Sequence, residues 1–257
     1  MILLFFLQSG LRVCGQHNYN VVFVGNSITF GALHKNPKQT APPQVCAQWL
    51  AQQPGVGECH AVNMGKSGRT TFNFVPAKTG ITNHWNELKS ATADIMAAHP
   101  EGRLVFSMML GTNDAAERPG NSRTTPFMYE HNMKLIIDSL LAVYPRAQFV
   151  IHRPIFYSVP FTTRGGSIQT KEGRKMLTVY YKRVKNIVKY FETRYPGQVH
   201  AGDGDAYRYF EKHYLTMLVH EKGYQECDFW LHPNEEGSRV LAEYWGKAIV
   251  KALKIGQ

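Results

Sequence analysis

Asn20-Val21-Val22-Phe23-Val24-Gly25-Asn26-Ser27-Ile28-Thr29 is an apolar run that stops at a glycine and turns at once into polar residues. A run of this kind, apolar on both faces and ended by Gly, reads as a central parallel strand rather than a half-exposed one. The pattern recurs at Ala61-Val62-Asn63, Leu104 to Leu110 and Gln148 to His152, with a weaker candidate at Gln198 to Ala201. Helical spacing fills the gaps at Pro43 to Gln53, His84 to Ala98, Thr125 to Val143 and Lys171 to Tyr195, and a last helix follows Asn234. Strands alternating with helices predict βαβ units and a three-layer α/β/α sandwich with a central parallel sheet, because such crossovers are right-handed. Thr162 to Ser167 reads as a surface loop, not a linker. The expected organisation is one domain over residues 18–257, preceded by a segment over 1–17.

That segment carries Ile2-Leu3-Leu4-Phe5-Phe6-Leu7, too short to span a bilayer and similar to the apolar region of a secretory signal peptide, although no Lys or Arg precedes it. The expectation is a secreted or periplasmic protein, or a cytoplasmic one if the segment is not a signal. Val13 before Cys14 is not the small residue a lipid-anchoring site requires, and the remaining apolar runs are short, so no stable membrane insertion is expected.

With 29 Lys+Arg against 19 Asp+Glu, the 257-residue chain has a formal charge of +10. The excess concentrates in Lys171 to Arg194, but Met176, Leu177, Val179, Val184, Ile187, Val188 and Phe191 are interleaved there at near-helical spacing. The basic residues therefore read as the wet face of an amphipathic helix, and no nucleic-acid partner is expected. Cys14, Cys46, Cys59 and Cys227 form no C-x-x-C pair, and the eleven His include no H-E-x-x-H, so neither metal nor cofactor is expected. His213 and His220 are spaced as same-face neighbours would be on a helix. Cys46 and Cys59 could pair in an exported protein or remain buried thiols.

In an open parallel sheet, ligands bind beyond the carboxyl ends of the strands. Four stretches fall there: Gly25-Asn26-Ser27-Ile28-Thr29, Asn63 to Thr71, Gly111-Thr112-Asn113-Asp114, and Cys227 to Asn234 with His232. Singly, each is an ordinary turn or helix cap. Together they supply a hydroxyl, an imidazole with a nearby Asp, and amide donors, the set that acyl transfer needs.

These stretches resemble blocks I, II, III and V of the SGNH hydrolases, also called GDSL-type esterases and lipases, in the right order over roughly residues 20–250. The resemblance implies a flavodoxin-like sandwich with Ser27 as nucleophile and His232 as general base. It also implies an oxyanion hole made by Ser27, Gly68 and Asn113. Asn26 stands where many members have Asp. The acid that usually lies three residues before the His would be Phe229 here, so Asp228, one residue further back, is the expected acid, with a main-chain carbonyl near Phe229 as the alternative. The implied activity is hydrolysis of acetyl or other short acyl esters, on a small molecule or glycan and without a cofactor. Two other readings remain: a lipase or lysophospholipase using Phe30, Leu33, Phe72 and Phe74 as an acyl groove, and a non-catalytic carbohydrate-binding protein. The oligomeric state is left open.

Overall fold

The computed structural model describes residues 16–76, 82–120 and 122–257. The deciding run forms β1 (His17–Gly25), buried from Tyr19 onward. After it come α1 (Ser27–Phe30), α2 (Pro37–Thr40), α3 (Pro42–Leu50), β2 (Val56–Gly65), α4 (Trp85–Ala98), β3 (Arg103–Met109), α5 (Pro126–Val143) and β4 (Gln148–Ile151). The second half contains β5 (Phe161–Thr162), β6 (Ile168–Gln169), α6 (Lys171–Glu192), β7 (Val199–Ala201), α7 (Ala206–Met217), β8 (Leu218–Lys222), β9 (Asp228–Pro233) and α8 (Glu235–Leu253).

Five strands form one sheet in the order β2-β1-β3-β4-β7, with every pairing parallel. This is the flavodoxin-like order, and β1 lies between the strands that carry the second and third polar turns. The helices cover the sheet as an α/β/α sandwich. Helices α3 and α8 pack together, and Trp245 of α8 stacks on Phe23 of β1 with ring centroids 5.8 Å apart. Helices α5 and α6 form another packed pair. The core is continuous from Tyr19 to Ile255.

The basic stretch is α6, which buries Leu177, Tyr180, Val184, Ile187 and Phe191 at alternating steps of three and four while Lys171, Lys175, Lys182, Lys185 and Lys189 are exposed. Such spacing keeps one stripe of a helix against the core.

Some expectations are narrowed and others change. Thr163 to Ser167 links β5 and β6, a short antiparallel pair. His213 lies on α7 and His220 on β8, so they share no helix face. Cys46 and Cys59 are free thiols, and burial pushes Cys59 up to about 12 and Cys46 well above its usual value. Helix α7 and the hairpin of β8 and β9 are additions to the predicted elements. Among the described residues no helix is long and apolar enough to cross a membrane. Ile2 to Leu7 and Cys14 lie outside the described residues.

Candidate active site

Ser27 is the first residue of α1, immediately beyond β1. The strand-to-helix turn is tight: a Cβ on Gly25 would fall 1.9 Å from Thr29 Oγ1, and one on Gly65 would fall 2.2 Å from the Phe30 nitrogen. Only glycine lets the ends of β1 and β2 approach the helix this closely. Asn26 caps α1, its Oδ1 accepting from the Ile28 N–H at 3.0 Å. An Asp oxygen would accept the same bond, so Asn26 preserves this part of the block I turn.

The His arrives from the other end of the chain. β8 and β9 form an antiparallel hairpin whose register slips between Leu218 and His220. His232 Nε2 lies 2.8 Å from Ser27 Oγ. On the other side of the ring, Nδ1 lies 2.9 Å from both Glu221 oxygens, and Glu221 also accepts from the His232 backbone N–H at 3.1 Å. The carboxylate thus fixes both the position of residue 232 and the face its ring presents. The side chains of Glu221 and His232 are only 12% and 13% exposed, which limits the water available to screen the pair.

The corner after His232 is held from three directions. His34 Nε2 lies 3.1 Å from the Pro233 carbonyl oxygen and 3.1 Å from Ser238 Oγ, and His34 Nδ1 lies 2.8 Å from Thr40 Oγ1. Asn234 Nδ2 donates to the Thr216 carbonyl at 2.7 Å, and its Oδ1 caps α8 at the Gly237 N–H at 2.8 Å.

Gly68 and Asn113 lie on the loops after β2 and β3, the strands flanking β1. Gly68 has φ +74°, a left-handed conformation that turns the loop back at this point. Asn113 Nδ2 donates to the Arg69 carbonyl at 3.0 Å, and Arg118 donates to the Gly68 carbonyl at 2.8 Å. An amide nitrogen carries two hydrogens, so the Arg69 bond aims Asn113 and leaves a second donor. Beneath them, Asp114 accepts from the Thr71 hydroxyl at 2.6 Å and the Thr71 N–H at 3.1 Å. Burial pushes the Asp114 carboxyl up to about 6, although the Thr71 bonds oppose the shift.

A Ser beside an imidazole, with the imidazole beside a carboxylate, is an arrangement that can move a proton off a hydroxyl. The sequence profile of the GDSL-like lipase/acylhydrolase family matches residues 23–240. The chain belongs to this family. It is accordingly a carboxylic ester hydrolase. Among solved structures, this acylhydrolase is similar to an acetylxylan esterase from Geobacillus stearothermophilus (17% identity, TM-score 0.56, covering 94% of this chain and 96% of that one). It is also similar to a carbohydrate acetylesterase family member from Sinorhizobium meliloti (15%, 0.57, 92% and 99%). A third is the aryl esterase of M. smegmatis (17%, 0.57, 91% and 99%). No curated protein matches the sequence.

The acylhydrolase site departs from expectation in its acid. Asp228 does not reach His232: its half-exposed carboxylate lies 2.5 Å from His220 Nε2 and 2.7 Å from Lys222 Nζ, and these contacts, Lys222 first, hold its pKa below the usual value. The reason is geometric. Residues four apart on an extended strand are separated by about 13 Å, and the hairpin register places Asp228 opposite Lys222. Nor does a carbonyl near Phe229 hold the ring, since Glu221 occupies Nδ1. Sequence reasoning missed Glu221 and His34. The available signal was Leu218-Val219-His220-Glu221-Lys222-Gly223, a short strand pattern ended by glycine, facing the alternating apolar Phe229 and Leu231.

Proposed function

We propose that this acylhydrolase is a serine esterase that removes acetyl or other short acyl groups from a carbohydrate, with Ser27, His232 and Glu221 as its triad. The observation that carries the reading is the continuous hydrogen-bonded line from Glu221 through His232 to Ser27 Oγ. His232 Nε2 takes the hydroxyl proton as Oγ bonds to the ester carbonyl carbon. The imidazolium so formed is stabilised by Glu221. The negative carbonyl oxygen rests on the N–H of Ser27, the N–H of Gly68 and the free N–H of the Asn113 amide. His232 then returns the proton to the departing sugar oxygen, leaving an acyl-Ser27. Water, deprotonated by the same imidazole, releases the carboxylic acid and restores Ser27.

Preference for short acyl chains is supported by Phe74, which is fully buried and so cannot line a long acyl groove; Phe72 beside it is half-buried. The names of the acetylxylan esterase and the carbohydrate acetylesterase point the same way on the sugar side. Export, on the strength of the apolar run Ile2 to Leu7, would bring the enzyme to such polymers. Phe30 and Leu33, 43% and 59% exposed just after Ser27, favour the lipase reading and make it the rival. Nitrophenyl esters from acetate to decanoate, assayed beside acetylated xylan, pectin and sialic acid, separate the two. The proposal expects a maximum between acetate and butyrate with acetate released from at least one glycan. A maximum at octanoate or longer would assign the enzyme to lipids, and hydrolysis of the nitrophenyl esters with no acetate released from any glycan would remove the carbohydrate part of the proposal.

A further inference from the structure

The amino edge of the sheet, opposite Ser27, gathers four side chains that ester hydrolysis does not use. Glu58 and His60 stand two apart on β2, Glu58 at the irregularity in the pairing with β1, and their side chains meet. His99 and Glu101 stand two apart in the connection between α4 and β3. One donor atom from each of the four lies within 4.8 Å of the others. The His60 and His99 rings are stacked, with centroids 3.4 Å apart and planes 11° apart, and Glu58 Oε2 lies 3.0 Å from His60 Nε2.

The backbone under this cluster is fixed from β1. Asn18 accepts from the Glu58 N–H at 2.8 Å and donates to Glu101 Oε1 at 3.4 Å. The buried Asn20, paired in register with His60, donates to the His99 carbonyl at 2.7 Å. These bonds hold the chain on both sides of the cluster, so that its two halves face each other. Two neutral imidazoles with two carboxylates carry −2, which matches a divalent cation even on a chain of formal charge +10.

We propose that Glu58, His60, His99 and Glu101 bind one divalent transition-metal ion of the zinc class, which ties the edge strand β2 to the α4–β3 connection. Two nitrogens and two oxygens suit tetrahedral zinc or cobalt, whereas calcium and magnesium take oxygen ligands. Closing the donors to metal distances of about 2.0–2.2 Å requires the stacked His60 and His99 rings to turn apart so that one nitrogen of each points at the ion, together with an inward swing of the exposed Glu58 and Glu101 side chains. His60 is five residues before the end of β2, about 17 Å along the strand, so the ion holds structure and takes no part at the ester. The expectation of no metal rested on motifs contiguous in the chain. Glu-x-His and His-x-Glu pairs joined only by the fold escape it.

The test uses the full chain stripped with EDTA, titrated with Zn²⁺ by calorimetry and with Co²⁺ by visible absorption. The proposal expects one ion per chain, a tetrahedral Co²⁺ spectrum, and a melting midpoint raised by about 5 °C or more when zinc is at a hundredfold excess over Kd. His60→Gln/His99→Gln should lose the spectrum and the shift. The surface variant Glu58→Gln/Glu101→Gln should weaken binding at least tenfold while its metal-free midpoint stays near wild type, which guards against loss of folding as the cause. Ester turnover should be the same with and without zinc. Absence of stoichiometric binding, or full affinity in either double variant, would overturn the site.

Discussion

The turn carrying Ser27 and the hairpin carrying His232 each deliver one group to the same hydrogen bond, and they are built differently. The Ser27 turn is local: Gly25, Asn26 and Thr29 shape it within five residues of chain. His232 is oriented by a residue eleven positions earlier on another strand, and its loop is steadied by His34, almost two hundred residues earlier still. The contrast explains why a nucleophile can be read from a motif while its acid cannot. A tight turn is specified by adjacent residues, whereas a cross-strand contact depends on register, and a one-residue slip changes which side chain reaches the ring.

Removing the local element should have the larger effect. Ser27→Ala should lower turnover by on the order of 10⁴-fold or more while leaving the melting midpoint nearly unchanged, because it removes the covalent route and few contacts. Substantial residual activity would disconnect the Ser27 turn from the chemistry. Asn113→Ala should lower kcat by about a hundred- to a thousand-fold, the scale of one oxyanion donor, with little change in KM. A change confined to KM would make Asn113 a binding residue.

A smaller effect concerns the support beneath the donors. Asp114 has its carboxyl raised from 3.8 to about 6, so the folded state holds that proton more tightly than the unfolded chain does. The resulting stabilisation is fully present below about pH 4 and is lost as pH rises through 6. Against Asp114→Asn, wild-type stability in urea should therefore fall by on the order of 2–3 kcal/mol between pH 4 and pH 7. A difference that stays constant with pH would mean that Asp114 titrates normally.

The strands of the central sheet were legible because β1 and β3 are buried on both faces, which leaves apolar runs such as Val21 to Val24 and Leu104 to Met109, the latter broken only by Ser107. Helix α6 was legible through its stripe from Leu177 to Phe191. The stretches carrying Ser27, Gly68, Asn113 and His232 were legible because each follows a strand or precedes a helix at the same sheet edge, and the family resemblance singled out these residues within them. What escaped was the region where local signals are weak. Strand β8 has only Leu218 buried and three charged or ionisable residues in five, so its strand pattern is weak, and the register with β9 that brings Glu221 to His232 is not specified by either strand alone. Asp228 was the nearer carboxylate in the chain and the farther one in the fold.

The most direct test of the account compares two conservative variants on one short-chain ester. Glu221→Gln keeps the size of the side chain but removes the charge that stabilises the imidazolium, and Asp228→Asn does the same to the salt-bridged carboxylate at the far end of the hairpin. The account predicts that Glu221→Gln lowers kcat by on the order of 10³–10⁴-fold, whereas Asp228→Asn stays within about threefold of wild type, as expected for an exposed ion pair. The reverse ranking, with both variants folded, would contradict it and return the acid to Asp228.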